Sequence, residues 1–520
     1  MTDRMLTQEG GGTRATDGVA SARRDQEINL PAKGVTTEVL HDLLGPPPTT
    51  RPVPIAVVGC CIRAHFPYET AVGNYRAACD RVRQVLDASR FEVLTADEPF
   101  EDPDALLAFA DGLLERGVAG VIFLHATYTA GEIGSHFGRW LADHRMPVLS
   151  WSLPDEKGGN LEANSLCCQN FLLNMWQRMN VRYVWHHTAI DATADPYIQR
   201  FGASVRAKAR LRHGKALHVG GSRVSAFYDG ETDELAVMRR FGLRFDRIDL
   251  EAAHQHGKKF ADADVSRLWQ AIKSHEACNR VALPDEQALR TLRMGLSIYD
   301  LSVSGGYIGC TVKSWPELFD CYGFAIDGAV SMLNDAGLCT VEEGDMNGLI
   351  SSLAMHLLTD GAAVPTMMDL STLDVDANRL GIWHCGACPT RLLRAGATFD
   401  ATRHSILENG DPETAVGLML EFPLVTGPAT VVRYQSPDAS TMFAFEGRLE
   451  DCELAFRGNY TEMTPESPAT AESVMGTIMN RGLDHHWSLG MGHLGRDLEM
   501  LNHWLGVKAI GEQTSMYLSR

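Results

Sequence analysis

Three apolar runs, at residues 54–59 (PIAVVG), 118–124 (VAGVIFL) and 147–151 (PVLSW), constrain this chain's fold more than any other feature. They alternate with stretches of helical periodicity at 71–86, 104–115 and 131–143. A short, unbroken apolar run bounded by glycine or proline reads as a strand buried on both faces. Strands separated by helices are joined by right-handed crossovers into a parallel sheet. Residues 51–190 are therefore expected to form a Rossmann-like, doubly wound α/β domain.

The pattern restarts at 215–221 (KALHVGG), with helical periodicity at 234–240 and 283–301 and a strand at 245–250. A second α/β domain over 191–380 follows. From about residue 391 the texture becomes short β-rich runs, at 415–420, 429–434, 442–447 and 452–457, which predict an antiparallel, barrel-like domain over 381–520. Residues 1–50, ending in Gly45-Pro46-Pro47-Pro48, read as a flexible tail and linker.

The formal charge of −19 argues against nucleic acid, because no basic stripe is present to neutralise phosphates. No run approaches the roughly 20 apolar residues that span a bilayer, and residues 1–35 lack the apolar core of a secretory signal. Twelve cysteines in 520 residues are too few for a disulfide scaffold and read as reduced thiols. A cytoplasmic location without membrane attachment is expected.

Chemistry concentrates in the second half of the chain. In Val341-Glu342-Glu343-Gly344-Asp345-Met346-Asn347-Gly348, two acids stand at the start of a helix whose apolar positions are Leu349, Ile350, Leu353 and Leu357. Asp345 reads as the helix N-cap, Glu343 as a ligand or catalytic group, and Glu342 is set aside as pointing elsewhere. Asp369 closes the apolar run 364–368 and is placed at a strand end. His384 lies in Trp383-His384-Cys385-Gly386, and His485 and His486 form a late pair of which one is expected to face the site, since neighbours on a strand point to opposite faces. Carboxylates and imidazoles together suit manganese, magnesium, cobalt or zinc. The Cys385/Cys388 pair has no second pair to complete a structural zinc site. Gly220-Gly221-Ser222-Arg223 lacks the spaced glycines of a dinucleotide loop, so no nicotinamide cofactor is expected.

Taken together, Glu343, Asp345, Gly348, Asp369, the run 383–386 and the late His-His resemble the L-fucose/L-arabinose isomerase superfamily over nearly the whole chain after about residue 53. Leu124, His125 and Gly220-Gly221 add weaker support. The resemblance implies a manganese-dependent aldose–ketose isomerase, with magnesium or cobalt as substitutes, working through an enediol. It also implies a homotrimer or homohexamer with active sites shared between subunits. Glu343 and Asp369 would be metal ligands and the acid/base pair, one of His485 or His486 a third ligand. His384 would be a further ligand in the arabinose-type arrangement, whereas Asp369 follows the fucose type. L-Fucose, L-arabinose and a C6-modified hexose such as sulfoquinovose therefore all stay open as substrates. Arg63, His65, His125, Tyr128 and Trp383 are the candidate substrate contacts, with Arg63 matched to an anionic substituent. Two other classes use similar parts: a sugar-binding or sensor protein with two Rossmann-like lobes, and a metal-dependent aldolase or hydrolase.

Overall fold

A computed structural model describes residues 30–411 and 413–511. The first sheet is built from β1 (Val53–Cys60), β2 (Phe91–Thr95), β3 (Gly120–His125), β4 (Val148–Ser152) and β5 (Tyr183–His187), all parallel in the order β2-β1-β3-β4-β5. Alternation explains why its strands read as continuous apolar runs. Ile55, Val57, Ile122 and Leu124 enter one core, whereas Ala56, Val58, Val121 and Phe123 enter the core on the opposite face. Gly59 permits close packing at the end of β1, since a Cβ there would lie 2.4 Å from the Tyr75 ring.

Next along the chain come β6 (Lys215–Val219), β7 (Arg244–Ile248), β8 (Cys278–Val281), β9 (Gly309–Val312) and β10 (Cys339–Glu342). Four of them form a second parallel sheet, in the order β10-β9-β6-β7.

The remaining strands are β11 (Thr366–Asp374), β12 (Arg379–His384), β13 (Phe399–Thr402), β14 (Met419–Pro423), β15 (Gly427–Tyr434), β16 (Thr441–Leu449), β17 (Asn459–Pro465), β18 (His486–Met491) and β19 (Lys508–Ala509). With β8 they make a mixed ten-stranded sheet. Within it, β16-β15-β18-β11-β12-β17 are antiparallel neighbours, and β17 pairs back onto β16. These six strands thus close a ring, which removes their free edges.

Several expectations need correction. Residues 366–380, expected in the second α/β domain, belong to the ten-stranded sheet, which moves Asp369 onto it and into mid-strand. Residues 452–457 form no strand: Leu454 and Phe456 stay exposed, and Arg394 holds this segment through the Cys452 carbonyl at 2.6 Å and the Glu453 carboxylate at 2.9 Å. The strand expected from residue 415 begins at Met419, because the carbonyls of Val416 and Gly417 accept from His404 and Ala325 instead of a neighbouring strand. Part of the expected tail is ordered. Thr37–Leu44 is a helix with Leu40 fully buried, Val35 N–H donates to Thr390 Oγ1 at 2.9 Å, and Tyr299 OH donates to the Gly45 carbonyl at 2.8 Å. Residues 1–29 of that tail lie outside the described residues. All twelve cysteines are free thiols. Among the described residues, no helix is long and apolar enough to cross a membrane.

Candidate functional site

The acidic element follows β10. Glu343 and Gly344 both adopt left-handed backbone conformations, with φ of 63° and 68°. For glutamate that is a strained choice. Neighbouring chain enforces it: Val224 N–H donates to the Glu343 carbonyl at 3.2 Å, and Gly344 N–H donates to Val312 at 3.0 Å. Asp345 then caps the helix Met346–Thr359, accepting from Gly348 N–H at 2.8 Å.

The barrel strands bring the distant ligand candidates to this turn. On β11, Asp369 lies directly opposite His486 of β18 on one side and Trp383 of β12 on the other, with His384 next along. His486 is buried; its Nδ1 donates to Asp345 Oδ2 at 2.9 Å, and its Nε2 lies 2.8 Å from Glu343 Oε2. The second contact has the length of a hydrogen bond but not the direction, and Glu343 Oε2 accepts none. Asp369 Oδ1 is likewise buried with no donor. Burial opposes charge on His486, yet its hydrogen bond to Asp345 and the Glu343 carboxylate beside it prevail and hold the imidazole well above its ordinary value. Burial also opposes ionisation of Glu343, but the His486 contact wins and lowers its pKa.

A second layer lies behind. His384 Nδ1 sits 2.9 Å from Glu342 Oε1, again without a well-directed hydrogen bond. Burial would keep His384 neutral; the Glu342 carboxylate overrides it and raises the imidazole to about 9. Asp327 is buried with both carboxylate oxygens unpartnered, and burial together with the facing Glu342 pushes its pKa well above the usual carboxylate range. Glu342, set aside in the sequence, is therefore part of the site.

Ligand atoms of Glu343, His485 and His486 lie within 4.8 Å of one another, as do those of Asp369, His384 and His486, and those of Asp327, Glu342, His384 and Cys385. His486 belongs to the first two groups and His384 to the last two. Buried carboxylate oxygens without donors, gathered around imidazole nitrogens, leave a charge deficit that a divalent cation fits. Asp345 would fix the tautomer by holding Nδ1–H, leaving His486 Nε2 for the metal. The Cys385 thiol, pushed well up by burial, is a poor ligand.

His485 stands apart. Its side chain is 44% exposed and its Nδ1 pairs with Asp229 at 2.7 Å. Sequence reasoning also missed Arg433, a fully buried cation bound to Asp345 and to Asp484 at 2.9 Å, which holds the helix cap in place. Its signal was a lone arginine inside the apolar run 429–434.

Of the candidate substrate contacts, Trp383 is half-buried beside the cluster, stacked on His384 with its Nε1 donating to the Arg457 carbonyl at 2.7 Å. The others are not brought to it within one chain. Arg63 is exposed, lies over the Tyr68 ring and faces Glu98 and Glu101; His65 is exposed. Tyr128 stacks between Phe66 and Phe171. His125 is fully buried, with Nε2 2.8 Å from Ser150 Oγ, so it has no surface to offer a sugar. Its imidazole is kept neutral by burial, with a pKa of about 3.

This is an α/β chain whose closed β-ring carries a buried carboxylate–imidazole cluster. Its sequence is similar to curated sulfoquinovose isomerases. The protein from Alkalicoccus urumqiensis is 25% identical over 422 residues, 79% of this chain and 90% of that protein. Those from Priestia aryabhattai and Priestia megaterium are each 23% identical over 421 residues, 80% of this chain and 90% of theirs. No protein-family model matches the chain. An ABC transporter solute-binding protein from Agrobacterium vitis with bound D-fucose aligns over 61% of this chain and 83% of its own at 10% identity. Its TM-score of 0.15 is too low to carry a structural argument.

Proposed function

We propose that the chain is a divalent-metal-dependent aldose–ketose isomerase acting on a C6-modified hexose, with sulfoquinovose the leading substrate. One observation carries the reading: Glu343 and Asp369, from separate elements, each have a buried oxygen without a donor and each have a ligand atom within 4.8 Å of one on His486, in a chain that aligns along most of its length with sulfoquinovose isomerases.

Glu343, Asp369 and His486 would hold the cation, Mn2+ in the first instance and Mg2+ or Co2+ as substitutes, with His384 within reach as a fourth donor. Bound there, the cation would polarise the sugar carbonyl and stabilise negative charge developing at the sugar oxygens. Glu343 and Asp369 carry the proton: one takes it from C2, and the C1 carbon of the enediol receives a proton back from a carboxyl group. Asp345 and Arg433 keep His486 and the strand-to-helix turn in position. Trp383 supplies an apolar wall for the sugar ring. Arg63, His65 and Tyr128 would act from a neighbouring subunit of a homotrimer or homohexamer, Arg63 pairing with the sulfonate. In support of that arrangement, their contacts stay within the first domain and Arg63 remains exposed.

The test is incubation with Mn2+ and sulfoquinovose, L-fucose and L-arabinose in deuterated water. Ketose formation with solvent deuterium entering the sugar is expected, fastest with sulfoquinovose. Retro-aldol fragments, or no turnover with any of the three, would overturn the reading.

A further inference from the structure

Sharing no residue with the carboxylate–imidazole cluster, a cavity of about 560 Å³ is lined by six cationic side chains: Arg145, Arg182, Lys208, Arg212, Arg239 and Arg240. No carboxylate lines it. Arg145 and Arg182 precede β4 and β5, so the cavity lies at the N-terminal edge of the first sheet, opposite the edge where open α/β sheets bind their substrates. Lys208 and Arg212 come from the last turns of the helix Asp195–Arg212, and Arg239 and Arg240 from the end of the helix Glu234–Phe241.

Backbone carbonyls account for part of this charge. Arg182 donates to the carbonyls of His503 and Trp504, both at 3.1 Å, Arg240 to Gly506 at 2.7 Å and Lys208 to Arg145 at 3.2 Å. A helix C-terminus offers only about half an elementary negative charge. Asp438 feels the charge of Arg240 but does not line the cavity. The side chains of Arg145, Arg212 and Arg239 have no hydrogen-bond or ion-pair partner among the described residues. Burial, reinforced by the charges of Arg212, Arg182 and Arg145, pushes Lys208 down to about 8. Arg145, Arg182, Arg212 and Arg239 are solvent-exposed, and in a chain of net charge −19 so local an excess of cations raises the concentration of anions at this place. Met146, Met179 and Leu505 supply an apolar floor for the organic part of a ligand.

We infer that this cavity is a binding site for a small metabolite bearing a diphosphate-type group, separate from the sugar site. Several guanidiniums match the spread oxygens of adjacent phosphoryl groups better than those of a single one.

Calorimetric titration of the full-length protein with inorganic pyrophosphate, and separately with orthophosphate, at low ionic strength tests it. Pyrophosphate is expected to bind once per chain, more tightly than orthophosphate, and more weakly as sodium chloride is raised. Arg212→Gln with Arg239→Gln, which removes two side chains that hold no other group, should weaken binding at least about tenfold while leaving the circular dichroism unchanged. Arg212→Lys with Arg239→Lys should restore most of it, and Arg139→Gln, an exposed cation outside the cavity, should change nothing. Absence of binding at millimolar pyrophosphate, or an affinity that the double glutamine variant leaves intact, would overturn the inference.

Discussion

His125 and His186 in the first sheet, and His384 and His486 at the candidate site, are all buried, with exposures of 0%, 0%, 1% and 2%. Their charge states nonetheless diverge. Burial leads the first pair to a pKa of about 3 each, since their near neighbours are hydroxyls and rings: Ser150 for His125, Thr188 and the Trp151 and Tyr197 rings for His186. The second pair meets the same desolvation, but carboxylates within 3 Å reverse it. Depth alone does not distinguish a structural histidine from a functional one. What does is whether buried acids without other donors face it, because such acids are costly to keep unless a proton or a metal joins them.

Removing the acid from the comparison gives the largest effect. Glu343→Gln keeps the shape of the turn but removes the charge of the proposed metal ligand and proton carrier. Turnover should fall by at least about a thousandfold, with unfolding by urea unchanged to within about 1 kcal/mol. Steady-state assay and denaturant titration check the two halves. Asp345→Asn acts one step further out. It weakens the acceptor that holds His486 Nδ1–H, and should lower metal affinity about 10- to 100-fold, as measured by competition with a chelator. An Asp345→Asn protein with undiminished metal affinity would remove the positioning role assigned to that carboxylate.

The same contrast explains what could be read from the sequence. Strands buried on both faces stood out as unbroken apolar runs, which is why the expected strands at 54–59 and 147–151 fall so near β1 and β4. Glu343 at a helix start, Asp369 at the end of an apolar run, and the pair His485-His486, with the choice between its members left open, were singled out from the sequence. Asp327 and Glu342 were not, since neither has a local signal: one opens a buried helix, the other ends a buried strand, and they meet only through the fold. Asp369 was placed at a strand end because the polar second half of β11, Ser371-Thr372-Leu373-Asp374, is its exposed half. Register is the information missing from the sequence. That Asp369 stands opposite His486 depends on pairing between strands far apart in the chain, which no local pattern encodes.

The first-sheet histidines predict a response to acid. Their folded pKa values are lowered to about 3, from an ordinary value of 6.5. Below pH 6.5 the unfolded chain takes up protons that the folded chain refuses, so the stability due to these neutral rings is complete above pH 6.5 and is lost as pH falls towards 3. Each contributes a slope of up to about 1.4 kcal/mol per pH unit in that window. Urea unfolding at a series of pH values should therefore show a steeper loss for the natural chain than for His125→Gln with His186→Gln, whatever the double variant's stability at pH 8. Parallel curves would place these rings in contact with water.

The smallest effect is expected where a histidine next to the cluster lacks the feature that defines it. His485 adjoins His486, with ring centroids 3.8 Å apart, but it is nearly half exposed and already paired with Asp229. A part-exposed pair of this kind contributes no more than about 1 kcal/mol, and a cation held, as proposed, by Glu343, Asp369 and His486 would need no further ligand drawn out of solvent. His485→Ala should leave the bound metal per chain unchanged and alter kcat/KM by less than about threefold. His486→Ala, in the same assays, should lose both metal and activity. If metal content instead fell in the His485 variant and survived in the His486 variant, burial among unpartnered acids would not be the property that selects the ligand, and the distinction between the two histidine groups would fail.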